Sequence, residues 1–228
     1  MTSRNTSPAA DPGEKRLTIY HYAVVTKPEI TDAVQPADGI DMETVDYKRQ
    51  PDVAVLDVAV GAAGGLVCGI WRGGMFGLAT NQIAVLSAWP ERGRAGPILR
   101  TAADGLGTTL DDGVEMTATV RPAAPERIMA QGFYVIRWLR MLATDVAEYT
   151  GLCLQTWPAF EAAARARCWG VLRPCNETET VTLLMLTWYG SLDDWERSRQ
   201  FAGGDDAKWA RRSEMELSHW AEGARLAT

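Results

Sequence analysis

Apolar positions along this chain follow two different periods, and each period predicts a type of element. Alternating or continuous runs rich in β-branched and aromatic residues predict strands at 17–25, 66–72, 82–89, 115–121, 132–141, 168–173 and 181–189. A helical spacing of apolar positions predicts helices at 51–61, where the valine content would also suit a strand, and at 94–106. It also predicts a helix at 145–167 that Pro158 should kink or split, a helix that begins at Ser191, and a final helix from about 205 to 224. Residues 26–50 contain prolines, a glycine and many acids, which predicts irregular structure.

The strand at 181–189 is apolar on both of its faces. One alternate set is Val181, Leu183 and Met185, and the other is Leu184, Leu186 and Trp188. A strand that is apolar on both faces is covered on both faces. Helices can cover one side, and a second sheet is the natural cover for the other. We therefore expect two sheets that close a barrel, with the helices outside.

The two halves of the chain carry the same order of segments. The strands 68–72 and 83–89, with Trp89 at the end, recur as 169–173 and 181–188, with Trp188 at the end. Such self-similarity is typical of a duplicated unit. Each half has the order β-α-β-β-α, followed by a fourth strand or a closing helix, as in the ferredoxin-like plan. The sequence predicts an α+β fold, divided into a disordered tail 1–15, a degenerate first repeat 16–121, a linker 122–131 and a second repeat 132–228.

Composition excludes several classes of function. The net charge is −6 with an isoelectric point near 5.0, and no lobe is basic enough to suggest nucleic-acid binding. No apolar run reaches membrane-spanning length, and the polar start lacks the core of a signal peptide. The four cysteines form no C-x-x-C pair, which indicates reduced thiols and a cytoplasmic location. Only two histidines are present, so no metal site is predicted.

Three separated motifs resemble the NIPSNAP-like proteins of the dimeric α-β barrel superfamily. They are the strand at 133–139 with its central Arg137, the segment 186–199 that leads from a strand into a helix, and Asp205 to Trp209 before the final helix. The resemblance covers residues 130–225 and lacks the family's proline after Asp205. It implies two ferredoxin-like repeats that form an intramolecular dimeric α-β barrel. Relatives in the superfamily include cofactor-free oxygenases, cyclases, isomerases, haem enzymes and non-catalytic binding proteins.

Two polar residues in predicted strands are the candidate catalytic groups. His21 lies between two tyrosines, and its neutral imidazole could remove a proton in a barrel cavity, or be satisfied by one hydrogen bond in a packed interior. Arg137 lies in an apolar strand, where its charge needs a partner. That partner is a structural carboxylate such as Glu148 or Glu161, or the anion of a ligand.

Aromatic residues are the candidate ligand-binding groups. The chain contains nine tryptophans, which could form the walls of a pocket for a flat organic ligand or fill the core. The predicted ligand-binding residues are Tyr20, Tyr22, Trp89, Trp138 and Trp188.

These observations lead to a functional hypothesis with open alternatives. The first is a small-molecule enzyme without a tightly bound cofactor, acting on an apolar or aromatic, polyketide-like compound in a barrel cavity. The second is a non-catalytic ligand-binding or interaction protein of the NIPSNAP type. The third is a haem protein that uses His219, which is predicted to lie on the final helix. The expected partner is a small molecule, without nucleic acid or membrane, and the fused unit could pair again as a homodimer.

Overall fold

The computed structural model describes residues 18–28, 52–176, 178–200 and 206–227. The predicted tail 1–15 and nearly all of the predicted irregular segment 26–50 lie outside these residues. Within them, no helix has the combined length and apolar character that crossing a membrane requires.

The described residues of the first half, 18–28 and 52 onward, form five strands and two helices. They are β1 (Ile19–Thr26), α1 (Val53–Ala62), β2 (Leu66–Phe76), β3 (Gln82–Trp89), α2 (Ala95–Gly105), β4 (Thr109–Leu110) and β5 (Val114–Ala118). Each predicted helix and strand in the described part of this half is found, with boundaries that differ by a few residues. The start of α1 is set by Asp52, whose side chain accepts a hydrogen bond of 2.9 Å from the backbone N–H of Ala54.

In the second half, the part of the chain that the structure describes forms four strands and three helices. They are β6 (Phe133–Leu142), α3 (Val146–Ala163), β7 (Ala166–Pro174), β8 (Thr180–Tyr189), α4 (Leu192–Ser198), α5 (Asp206–Met215) and β9 (Ser218–Leu226). A single 3-10 turn, Ala143–Asp145, precedes α3, which continues as one helix through Pro158. Ser191 caps α4 as its sequence predicts, because its hydroxyl accepts a bond of 3.1 Å from the Asp194 N–H.

The predicted final helix is correct only in its first half. Helix α5 ends at Met215, and residues Ser218–Leu226 form strand β9 instead. The prediction extended the helical spacing of Trp209, Ser213, Glu216 and Trp220 too far. The tertiary structure offers residues 218–226 hydrogen bonds to two strands, β6 and β2, and a helix there could not satisfy those strand edges.

Eight of the strands form a closed antiparallel ring. Following the hydrogen bonds, the order is β1, β3, β2, β9, β6, β8, β7 and β5, which pairs with β1 again. The short strand β4 adds to the end of β1. Closure leaves no open edge among these eight strands. Strand β9 is necessary for it, because β9 joins β2 of the first half to β6 of the second.

The two halves have the same strand order around this ring. In the first half it is β5-β1-β3-β2, and in the second it is β9-β6-β8-β7. Both place the fourth strand beside the first, as the ferredoxin-like plan does. The shared order is a property of the fold, and descent by duplication stays a prediction, as do the domain boundaries.

Apolar side chains fill the barrel and also cover its outside. The interior cluster draws on both halves, with Tyr20, Leu86, Tyr134 and Leu184 among its members. A second cluster lies between β6, β7 and β8 and helices α3 and α5, and a third lies under α1 and α2. Strand β8 therefore has apolar cover on both faces, as its sequence predicts. All four cysteines are free, and burial raises the pKa of the Cys68 thiol to about 12.

Candidate active site

A cavity of about 470 Å³ opens at one end of the barrel. We call it the barrel mouth. Strands β1, β5, β6, β7, β8 and β9 and the turn before β5 form its walls. Its lining combines acidic and aromatic side chains, namely Tyr22, Trp138, Trp220, Asp111, Asp112 and Glu222. Its volume is in the range that holds a small organic molecule.

The polar centre of the barrel mouth is the half-buried carboxyl group of Glu222. The phenol of Tyr22 donates a hydrogen bond to Glu222 Oε2, and the indole Nε1 of Trp138 donates one of 3.1 Å to Oε1. Each carboxyl oxygen keeps a further lone pair for another hydrogen. The two donors fix the carboxyl group without neutralising its charge.

The protonation of these groups is shifted by their surroundings. Burial raises the pKa of Glu222, and the nearby charge of Asp111 raises it further, while the bonds from Tyr22 and Trp138 act in the opposite direction. Burial and the Glu222 carboxylate raise the pKa of the Tyr22 phenol. Tyr22 therefore stays a donor at neutral pH, and Glu222 is a stronger base than an exposed carboxylate.

Three aromatic rings surround this carboxyl group. The rings of Tyr22 and Trp138 meet edge to face with centroids 5.0 Å apart. The rings of Trp138 and Trp220 are stacked, with centroids 6.0 Å apart and planes inclined by 16°. Trp220 is 49% exposed, so one face of this stack remains available to a flat ligand at the entrance.

Strand alternation explains why these groups converge. Trp138 is directly opposite Trp220, and Ile136 is opposite Glu222, in the β6–β9 register. Residues two apart on a strand face the same side, so Trp220, Glu222 and the buried Ala224 all face the barrel interior. Gly223 faces outward, where the ring of Phe76 would lie 2.4 Å from an added Cβ. Only glycine fits β9 at that point.

Two of the five predicted ligand-binding residues, Tyr22 and Trp138, meet at the barrel mouth. Tyr20 lies deeper in the packed interior, edge to face with Trp169 at 6.0 Å. The other two are elsewhere. Trp89 is buried outside the barrel under α1 and α2, where its Nε1 donates to Ser87, and Trp188 donates to the backbone oxygen of Gln131.

His21 faces away from the barrel cavity. Tyr20 and Tyr22 belong to the interior cluster, so alternation directs His21 to the outer side of β1. The side chain is only 3% exposed, and an added Cβ at Gly113 would lie 2.4 Å from its Cε1. Burial lowers the pKa of this imidazole, and its Nδ1 has no hydrogen-bond partner among the described residues. His21 does not line the barrel mouth. Its catalytic role stays a prediction.

Arg137 also lies outside the barrel, in a second cavity between the sheet and helices α3 and α5. Neither predicted carboxylate is its partner. Glu148 pairs with Arg211 at 2.7 Å, and Glu161 pairs with Arg121 at 2.8 Å. Arg137 donates instead to two neutral oxygens, at 3.3 Å to Thr187 Oγ1 and 3.1 Å to the Tyr189 hydroxyl.

Sequence reasoning did not find Glu222, Trp220 or Asp111. The first two lie on the strand that was predicted to be helix. The signal that could have found them is the alternation of Trp220, Glu222 and Ala224 together with Gly223, which is unfavourable inside a helix. Asp111 lies in a turn, where its Oδ1 accepts a bond of 2.9 Å from the Val24 N–H.

The structure does not place His219 where the haem hypothesis put it. His219 lies on strand β9 and not on a helix, and 64% of its side chain is exposed. Its Nδ1 is 3.1 Å from Glu216 Oε2 at the rim of the second cavity, and it is the only imidazole there. The haem hypothesis itself stays a prediction. Among the described residues, no group of three or more His, Cys, Asp or Glu side chains could hold a metal ion.

Solved structures identify the fold. A presumed monooxygenase from Fusobacterium nucleatum is 10% identical, with a TM-score of 0.55 and 94% of each chain covered. An anthrone oxidase-like protein is 13% identical, with a TM-score of 0.52 and coverage of 94% of this chain and 93% of the other. A chlorite dismutase variant from Candidatus Nitrospira defluvii is 9% identical, with a TM-score of 0.54 and the same coverage.

This chain has the dimeric α-β barrel fold. The matches extend over both halves of the chain. The similarity therefore covers the whole barrel and is not limited to one ferredoxin-like unit. No protein-family model and no curated protein sequence matches the chain. The NIPSNAP resemblance therefore stays a prediction, and identities this low carry the fold and not the activity.

Proposed function

We propose that this protein is a small-molecule enzyme without a tightly bound cofactor, which removes a proton from an apolar, aromatic compound at the barrel mouth. Glu222 is the general base. The observation that carries the proposal is its carboxyl group, which has a raised pKa, is held by Tyr22 and Trp138, and borders a cavity of about 470 Å³. Perturbed carboxyl groups in cavities mark functional sites.

Each group around Glu222 has a defined role in this proposal. Raising the pKa of the base narrows its difference from the pKa of a weakly acidic C–H or phenol, which favours proton transfer. Tyr22 and Trp138 hold the carboxyl oxygens in one orientation toward the substrate. The exposed face of Trp220 binds the flat ring system by stacking.

The structural relatives support this class of reaction without establishing it. Two of them bear names that refer to oxygenation or oxidation, a presumed monooxygenase and an anthrone oxidase-like protein. Anthrone is a flat tricyclic ketone with an acidic methylene group. Loss of one methylene proton to Glu222 forms an electron-rich enolate. With dioxygen as the oxidant, R₂CH₂ + O₂ gives R₂C=O + H₂O, which balances without a further reductant.

The decisive experiment follows proton exchange on anthrone. The protein is incubated with anthrone in D₂O buffer without oxygen, and loss of the methylene signal is followed by NMR. We expect exchange faster than in buffer alone, and roughly a 10²–10⁴-fold loss of this acceleration in Glu222→Gln. Oxygen uptake under air then separates an oxidase from an enzyme that only moves protons.

A matched control is Glu196→Gln on helix α4, because this acidic side chain is exposed and does not line the barrel mouth. It should exchange anthrone at the rate of the unmodified protein. Equal rates for Glu222→Gln and the unmodified protein would exclude Glu222 as the base.

The alternative is the non-catalytic binding protein. It predicts that anthrone binds at the barrel mouth without accelerated exchange, so the same NMR experiment separates the two functions. The homodimer of the barrel stays a separate prediction, testable by light scattering.

A further inference from the structure

The second cavity has a chemistry opposite to that of the barrel mouth. It has a volume of about 300 Å³ and lies between the outer face of β6, β7 and β8 and helices α3, α4 and α5. We call it the outer pocket. Two arginines, Arg137 and Arg212, and a group of aromatic rings form much of its lining.

Arg212 brings a positive charge into this pocket, and its hydrogen bonds go to hydroxyl groups and not to a carboxylate. Its side chain is only 5% exposed. The two terminal nitrogens donate bonds of 3.1 Å each to the neutral hydroxyls of Thr156 and Tyr149, and the buried Nε has no hydrogen-bond partner among the described residues. The guanidinium also lies over the rings of Tyr149 and Trp209, at 5.0 and 4.6 Å from their centroids. Taking such a charge out of water costs several kcal/mol unless an anion compensates it.

Arg137 reaches the same pocket from the sheet side. Its bonds to Thr187 and Tyr189 are again to neutral groups, and no ion pair joins it to a carboxylate within the described part of the chain. Two guanidinium groups that face one cavity with only neutral acceptors repel each other. An anion between them would remove this repulsion.

The carboxylate of Glu216 offsets part of this charge and has its own partners. Its Oε1 accepts a bond of 3.1 Å from the Tyr149 hydroxyl, and its Oε2 lies 3.1 Å from Nδ1 of His219. Its hydrogen bonds connect it to Arg212 through the Tyr149 hydroxyl, and its charge also acts on that guanidinium. With two guanidiniums against one carboxylate, the pocket remains positive, and Arg199 at its rim adds to this.

The walls determine the rest of the ligand's chemistry. Phe160 lies between two rings, with centroid distances of 6.4 Å to Tyr189 and 6.0 Å to Trp209. Trp157, Leu139 and Met185 complete an apolar lining. Because aromatic walls favour flat rings and guanidinium groups favour carboxylates, we propose that the outer pocket binds a small aromatic carboxylate.

This site is independent of the barrel mouth. Arg137 and Trp138 are neighbours on β6, and alternation sends them to opposite sides of the sheet. A ligand in one cavity cannot contact the other through the closed barrel wall. The two proposals can therefore fail separately.

The test is calorimetric titration of the whole protein with 1-naphthoate and with its neutral analogue 1-naphthamide. We expect the carboxylate to bind at least about tenfold more tightly than the amide, because hydrogen bonds to charged groups are stronger than neutral ones. Arg137→Gln and Arg212→Met should each remove this preference and leave amide binding within about twofold. Equal affinity for the acid and the amide, or no binding of naphthoate at millimolar concentration, would overturn the proposal.

The control is Arg140→Met, an exposed arginine on the same strand that does not line the pocket. It should keep the preference for naphthoate, and an equal loss there would show a general charge effect and refute the assignment. If Arg212→Met does not fold, Arg137→Gln decides the question, because Arg137 is only partly buried.

Discussion

The barrel mouth and the outer pocket differ in charge although strands β6 and β9 supply residues to both. The mouth has Glu222 and two aspartates among aromatic rings, and the pocket has Arg137 and Arg212 among aromatic rings. Neighbouring residues of β6 contribute to the two cavities. Arg137 faces the helices and lines the outer pocket, and Trp138 faces the barrel and lines the mouth. A sheet with both faces covered can therefore carry two separate sites with opposite preferences.

The comparison shows why neither site could be assigned from one residue type. Trp, Tyr and Phe line both cavities, so aromatic content alone does not separate them. The charge distinguishes them, and on each side it comes from elements distant in sequence. Tyr22 and Glu222 are joined across 200 positions, and Tyr149 and Arg212 across 63.

The largest expected effect tests whether the two sites are separate. Glu222→Gln should lower anthrone exchange roughly 10²–10⁴-fold and leave naphthoate affinity within about twofold. Arg137→Gln should remove the at least tenfold preference for naphthoate over the amide and leave the rate of anthrone exchange nearly unchanged. NMR exchange and calorimetry on both variants measure this, and a variant that impairs both activities would show that the cavities communicate.

The second prediction concerns the two covered faces of β8. Leu183 faces the helices and Leu184 faces the barrel interior, and both are almost fully buried. Each leucine-to-alanine substitution should lower the free energy of unfolding by about 2–5 kcal/mol. Urea denaturation of the two variants measures it. A loss below about 1 kcal/mol for either one would show that its face is not packed.

The third prediction concerns pH. Glu222 must be deprotonated to act, so the exchange rate should rise as pH increases through its raised pKa. Tyr22→Phe removes a donor that favours the carboxylate, which raises that pKa further. The rising limb of the pH–rate profile should therefore move to higher pH than in the unmodified protein. An unmoved limb would mean that a group other than Glu222 titrates.

The smallest effect is expected at the entrance. Trp220→Ala removes a stacking face worth about 0.5–1.5 kcal/mol, so KM for anthrone should rise about two- to tenfold at nearly constant kcat. Initial rates of anthrone exchange in D₂O at a series of anthrone concentrations measure both constants. Trp195→Ala on α4 is the matched control, because that tryptophan packs against Phe76 and Phe133 away from the mouth. A similar rise in KM there would remove Trp220 from the substrate site.

The amino-acid sequence determined most of the elements and the type of packing. Apolar runs located the strands, Ser191 marked the start of α4, and the double-sided apolar pattern of 181–189 predicted cover on both faces of β8. Alternation also separated His21 from its two tyrosines. These features depend on local geometry and side-chain chemistry, which are present in any short stretch of chain.

Only the tertiary structure decided the course of residues 218–226 and the composition of both cavities. The segment is short and polar enough for either helix or strand, and the open edges of β2 and β6 made it a strand. That choice closed the barrel and directed Glu222 toward Tyr22 and Trp138. It also removed His219 from the predicted helix. Hydrogen bonds between distant strands are non-local, so no window of the sequence contains the information that selects them.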